Sequence, residues 1–123
     1  MTTSLHLQYF STDDYTFLYH ADGVLCRYKQ ISADTSAIIE KEDSGMTTLI
    51  IANTTDSNKI SNGIYDDAYN IPAINNPNER KARLLCKIAE YLQSASGKDY
   101  KTIVKELREI ENTLHFASHL HIS

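Results

Sequence analysis

Three of the chain's five histidines fall in its closing stretch "HFASHLHIS": His115, His119 and His121. Four positions apart on a helix, His115 and His119 would stack on one face at a separation that can share a metal ion, as in the HExxH arrangement. The residue after His115 is Phe116, however, where such a site uses a glutamate as base, and His121 falls nearly opposite the pair on a helical wheel. Imidazoles in the last turns of a helix also have a plain electrostatic reason, since their cations suit the negative end of the helix dipole. A helix end is therefore the first reading of this stretch, and a metal-dependent enzyme using His115 and His119 is a distant one. No metal or other cofactor is expected.

Other catalytic arrangements have less support. "DSNKISNGIYDD" begins like a calcium loop at Asp56 and Asn58, but Ile60 stands where an oxygen ligand is wanted and Ser61 where the turn needs glycine. GxSxG, GxGxxG and Walker A patterns are absent. Asp13 with Asp14, and Asp66 with Asp67, are sequence neighbours, which does not aim two carboxylates at one bond. Cys26 and Cys86 fall in a strand-like and a helix-like stretch without ligand spacing, and read as small buried hydrophobes in a reducing compartment.

Two clusters suit binding better than catalysis. "IYDDAYNIP" brings Tyr65, Asp66, Asp67 and Tyr69 together, where aromatics can anchor and acids can steer a basic protein partner. The plain alternative is a polar loop with its tyrosines folded onto the sheet. "NERKARLL" places Arg80, Lys81 and Arg83 at the start of a helix, where backbone N–H groups favour an anion. Arg27 and Lys29, on what should be the wet face of a hairpin, would join them in a pocket for an anionic small molecule or nucleotide if the fold brings them near.

Bulk properties narrow the classes further. The 123 residues suit one domain with a self-sufficient core, and a net charge of −4 without a Lys/Arg run argues against non-specific nucleic-acid binding. The start "MTTSLHLQYF" has neither a cationic leader region nor a sustained apolar run, so no membrane span and a cytoplasmic location are expected.

The elements that must position these residues divide into a strand-rich first half and a helical last third. "LHLQYF" alternates. "YTFLYH" and "GVLCRYKQI" read as a hairpin about Asp22-Gly23, whose tight turn would set Tyr19 opposite Cys26, Phe17 opposite Tyr28 and Leu18 opposite Arg27. "AIIEKE" and "MTTLIIAN" form a second hairpin about Asp43-Ser44-Gly45. Residues 54–76 are dense in Asn and Asp and read as irregular, with "SNG" as the turn of a small hairpin between "NKI" and "IYD".

Helix one should begin with Asn76 as N-cap, Pro77 at its first position and Glu79 closing a capping box, bury Leu85, Ile88, Ala89 and Leu92, and stop near Gly97. Helix two carries Tyr100, Ile103, Leu107, Ile110, Leu114 and Ala117 at seam spacing through His121, roughly 33 Å at 1.5 Å per residue. Its outward residues read as a solvated face, with Lys105 and Glu109 as one i,i+4 pair.

The sequence thus predicts a single α+β domain over 1–123: a β-meander in 1–53, an irregular connection in 54–76, and a two-helix hairpin in 77–121 covering one face of a sheet of about five strands. Its functional expectation is a small acidic protein that docks on and blocks or escorts a partner protein, as inhibitors, immunity proteins and chaperones do. Binding of an anionic small molecule is the alternative, and eight tyrosines without a tryptophan leave aromatic surface for a homodimer.

Overall fold

A computed structural model of the chain describes residues 10, 14–19, 25–42, 44–72, 74–75 and 77–114. Its elements are β1 (Thr16–Tyr19), β2 (Leu25–Ser32), β3 (Thr35–Lys41), β4 (Thr47–Ala52), α1 (Ser57–Ser61), β5 (Ala68–Ile71), α2 (Glu79–Gln93) and α3 (Tyr100–Thr113). The five strands pair antiparallel in chain order. The fold is α+β, as the sequence predicts. The fifth strand, however, is β5 from the stretch read as irregular, while "LHLQYF" apart from Phe10 lies outside the described residues.

Strand alternation sorts the side chains onto two faces. Ala37, Ile39, Leu49, Ile51, Tyr69 and Ile71 point to one face and pack with Leu84, Leu85, Ile88 and Leu92 of α2 and Ile103 and Leu107 of α3. Cys26, Ile38, Ile50 and Ala52 point to the other and pack with Ile60 of α1, flanked by Leu18, Tyr28 and Tyr65. Covered on both sides, β3 and β4 become near-continuous apolar runs, as sheets sandwiched between layers require.

Four local expectations change. The first hairpin pairs Phe17 with Arg27, Leu18 with Cys26 and Tyr19 with Leu25, one residue out of the Asp22-Gly23 register. That shift puts Leu18 beside Cys26 in the second core and stacks the Arg27 guanidinium over the Phe17 ring at 5.9 Å, two contacts a two-residue turn would have separated. "NKI" is not a strand arm: Ser57–Ser61 is helical, with the Asp56 carboxylate accepting the Asn58 N–H at 2.9 Å. Gly63, at φ 69°, then supplies the left-handed conformation that lets the chain turn back.

The N-cap of α2 is Asn78, not Asn76. Its side chain accepts the Lys81 N–H at 2.7 Å, which leaves Pro77 just outside the helix and Glu79 as its first residue. α2 ends at Gln93 with Ser94 as cap, and Gly97 is not in the left-handed region.

Upstream, Asn75 holds the β3–β4 turn, donating to the Gly45 carbonyl and accepting the Thr47 N–H, each at 3.0 Å, so the chain enters α2 from a fixed point. α3 is fixed at its start by its own N-cap Asp99, which accepts the Thr102 N–H at 2.9 Å, and by Asp34 of the β2–β3 turn, which accepts the Tyr100 N–H at 3.3 Å. Side-chain contacts also bridge the helices. Tyr91 of α2 donates to the Glu106 carboxylate of α3, and Lys98 reaches the same carboxylate at 2.7 Å. α3 runs to Thr113, and the expected continuation past Leu114 lies outside the described residues.

Candidate functional site

Along β5, burial alternates: Tyr69 and Ile71 turn inward while Ala68 and Asn70 stay exposed. α3 passes over this edge with Tyr100, Ile103, Val104 and Leu107 in the core. Its flank, a fraction of a turn round from the core stripe, carries Lys101, Lys105, Arg108 and Asn112 at steps of four, three and four, which places them in one row.

Between flank and strand runs a groove of about 430 Å³. Tyr69, Tyr100 and Val104 make its floor, the row from α3 with Glu109 makes one wall, and Asp67 and Ala68 make the other.

The floor is aromatic and polar at once. Tyr69 is 6% exposed, its hydroxyl is buried without a hydrogen-bond partner among the described residues, and the Arg108 guanidinium lies 5.7 Å from its ring centre. A buried hydroxyl left unsatisfied costs on the order of 1–3 kcal/mol. Tyr100 is equally buried; burial chiefly, and the Asp67 carboxylate next, push its phenol up to about 12 against the pull of Arg108. It is therefore a neutral donor across the physiological range. With two ammonium groups and a guanidinium above, the groove suits a ligand with carboxylate or phosphate oxygens and some flat or apolar surface.

The residues singled out from sequence do not assemble as a unit. Tyr65 and Tyr69 go to opposite faces of the sheet. Tyr65 packs beside the second core with its hydroxyl buried, and burial, then Glu40 and Cys26, push it up to about 12. Asp66 pairs with Lys59 at 3.7 Å, and Asp67 accepts the Ala68 N–H at 3.0 Å; Asp67 and Tyr69 line the groove together, whereas Tyr65 and Asp66 do not line it.

Arg27 and Lys29 lie on the helix-bearing face instead of the expected wet one. Arg27 stacks on Phe17 and Lys29 pairs with Asp14 at 3.8 Å. At the start of α2, Arg80 donates to the Leu114 carbonyl at 3.3 Å and Arg83 reaches Glu79 at 4.0 Å, while burial lowers the Lys81 ammonium. Arg27, Lys29, Arg80 and Arg83 are thus each engaged locally.

Cys26 and Cys86 are free thiols. Cys26 is buried, and burial followed by Glu40 pushes it up to about 11, which keeps it protonated and unreactive. Cys86 is only half-buried, contrary to expectation. The histidines all lie outside the described residues, and among the described ones no cluster of three or more His, Cys, Asp or Glu could hold a metal ion. No described helix is long and apolar enough to cross a membrane.

In the sequence the row on α3 is hidden within a face of mixed charge, since Glu106 and Glu109 stand among its cations and make it read as a solvated surface. The ion pairs of the described surface include Lys29–Asp14, Lys59–Asp66, Arg83–Glu79 and Lys98–Glu106; the expected Lys105–Glu109 pair is not among them. Cations at 101, 105 and 108 on one flank were the available sign. No protein-family model, no curated protein and no solved structure matches the chain.

Proposed function

We propose that the chain is a binding protein without chemistry of its own, which docks on a partner protein through the groove between β5 and α3 and thereby blocks or escorts it. One observation carries this reading. Lys101, Lys105 and Arg108 stand in a row over two buried tyrosines, and none of the three is held in an ion pair among the described residues, in a chain whose net charge is −4. Three cations gathered against the overall charge outnumber the Asp67 and Glu109 carboxylates that line the same groove, and with an aromatic floor and an unsatisfied hydroxyl they supply both steering and anchoring for an acidic surface.

Affinity capture from the protein's own cells tests the choice of surface. Lys101→Glu with Lys105→Glu should lose the partner that the parent chain retains, and Asp66→Asn, at an acid that does not line the groove, should keep it. The opposite pattern would return the contact to the acidic loop and a basic partner, and would end the groove's claim.

A second reading uses the same groove. Its volume of about 430 Å³ falls in the range of metabolite sites, so an anionic small molecule would fit. Native mass spectrometry of untagged protein separates the two, because a bound metabolite appears as a fixed added mass and a partner as a second chain.

A further inference from the structure

Which shape of acidic ligand the groove accepts is written in the backbone of β5. β5 is the last strand in the sheet order, so among the described residues its far edge has no neighbouring strand. Its register with β4 pairs Leu49 with Ile71, Ile51 with Tyr69 and Ala52 with Ala68. The Asn53 N–H donates to the Asp67 carbonyl at 2.9 Å. Hydrogen-bonded pairs alternate along an antiparallel ladder, so Asp67, Tyr69 and Ile71 direct their backbone groups to β4, while Ala68 and Asn70 direct theirs to the open edge.

Of the N–H groups on that edge, Ala68 has given its own to the Asp67 carboxylate at 3.0 Å, and Pro72 has none. Asn70 is left to donate, with the carbonyls of Ala68 and Asn70 able to accept. This is an edge guarded against indiscriminate strand pairing, yet open at one place.

The cations match that place. At 1.5 Å per residue, Lys101 and Lys105 are about 6 Å apart along the helix axis, and Lys101 to Arg108 spans about 10.5 Å. Side chains on one face of an extended strand repeat every 6.6–6.8 Å or so. The spacings are of the same order, so an acidic strand laid on β5 can meet more than one of the cations with acids at alternate positions, whereas a compact anion meets only one or two of them.

Resting on the groove reading above, we propose that the occupant is an extended segment of a partner protein, with Asp or Glu at alternate positions, that adds to the sheet beside β5 through the Asn70 backbone and places its acids against Lys101, Lys105 and Arg108. The backbone bonds alone are too few to hold a strand, and the cations alone would accept any acid. Together they require a chain that is both extended and acidic.

The test uses the isotope-labelled full chain and three probes: a capped peptide of alternating Glu and Thr, its Lys and Thr counterpart, and glutarate. The acidic peptide should bind at least about tenfold more tightly than either other probe, lose affinity as salt rises, and slow hydrogen exchange at the Asn70 amide. Asn70→Pro removes the outward N–H at an edge position where proline is tolerated, so it should abolish peptide binding while leaving the thermal midpoint near that of the parent.

Glutarate binding as tightly as the acidic peptide, or peptide binding without protection of the Asn70 amide, overturns strand addition but leaves the groove as an anion site. Protection of Asn70 that grows with protein concentration in the absence of peptide would assign the edge to a second copy of this chain, and overturns the proposal too. If no acidic probe binds and capture of the partner ignores Lys101→Glu with Lys105→Glu, the groove reading itself falls.

Discussion

Glu111 carries a carboxyl group on the core-facing stripe of α3, where it is 6% exposed and one of its oxygens has no hydrogen-bond partner among the described residues. Burial raises it from 4.5 to about 7, so the folded chain keeps this proton while the unfolded chain has already released it. Between those two values the native state binds the extra proton, and stability must fall as pH rises through the window, levelling off above it. Glu111→Gln preserves the shape and removes the titration. Above pH 7 the variant should be the more stable by about 1–2 kcal/mol, and near pH 4 the advantage should vanish. Urea midpoints at acid, intermediate and alkaline pH read this directly, and parallel curves for the two proteins would mean that Glu111 reaches water. Its burial is not visible in the spacing, because a seam of threes and fours runs from Leu107 to Ile110, whereas the buried stripe runs from Leu107 to Glu111.

At the scale of elements, side-chain caps decide where helices begin. Asn78 satisfies the Lys81 N–H, and Asn78→Ala should cost about 1 kcal/mol, read as a lowered urea midpoint. A cap at Asn76 instead would make that substitution nearly silent. Two asparagines around Pro77 offered the sequence two starts, and only the geometry of the chain leaving the Asn75 clamp selects the later one. The second hairpin was legible from its β-branched runs on either side of Asp43-Ser44-Gly45, and both long helices from apolar periodicities near 3.6 that are long enough to be unmistakable. α1 and β5 were not: five and four residues are too short to show a period, and both lie in a stretch whose Asn and Asp content imitates a loop. The first hairpin's register was illegible for a related reason. Asp-Gly favours a two-residue turn locally, while burial of Leu18 and Cys26 is settled only when α1 closes over them.

Across the whole molecule, the sheet is held from both sides, and that changes what the Asn- and Asp-rich connection must be. A mobile loop would leave Cys26, Ile38 and Ile50 facing water. Ile60 is instead fully buried against them, while Ile64, after α1, stays 57% exposed. The connection is thus a second layer whose folding is tied to the sheet it covers, and the same layer delivers Asp67 and Tyr69 to the groove on the other side. Ile60→Ala should therefore destabilise the entire domain by about 2–4 kcal/mol, within the range for deleting a buried aliphatic side chain. The loss should appear as one cooperative transition moved to lower denaturant, with tyrosine fluorescence and far-ultraviolet circular dichroism shifting together. Ile64→Ala, at an exposed site in the same segment, should change the midpoint little. Equal, small effects from both substitutions would mean that the segment rides on the sheet without supporting it, and β5 would then lack the rigid backing that strand addition at its edge requires.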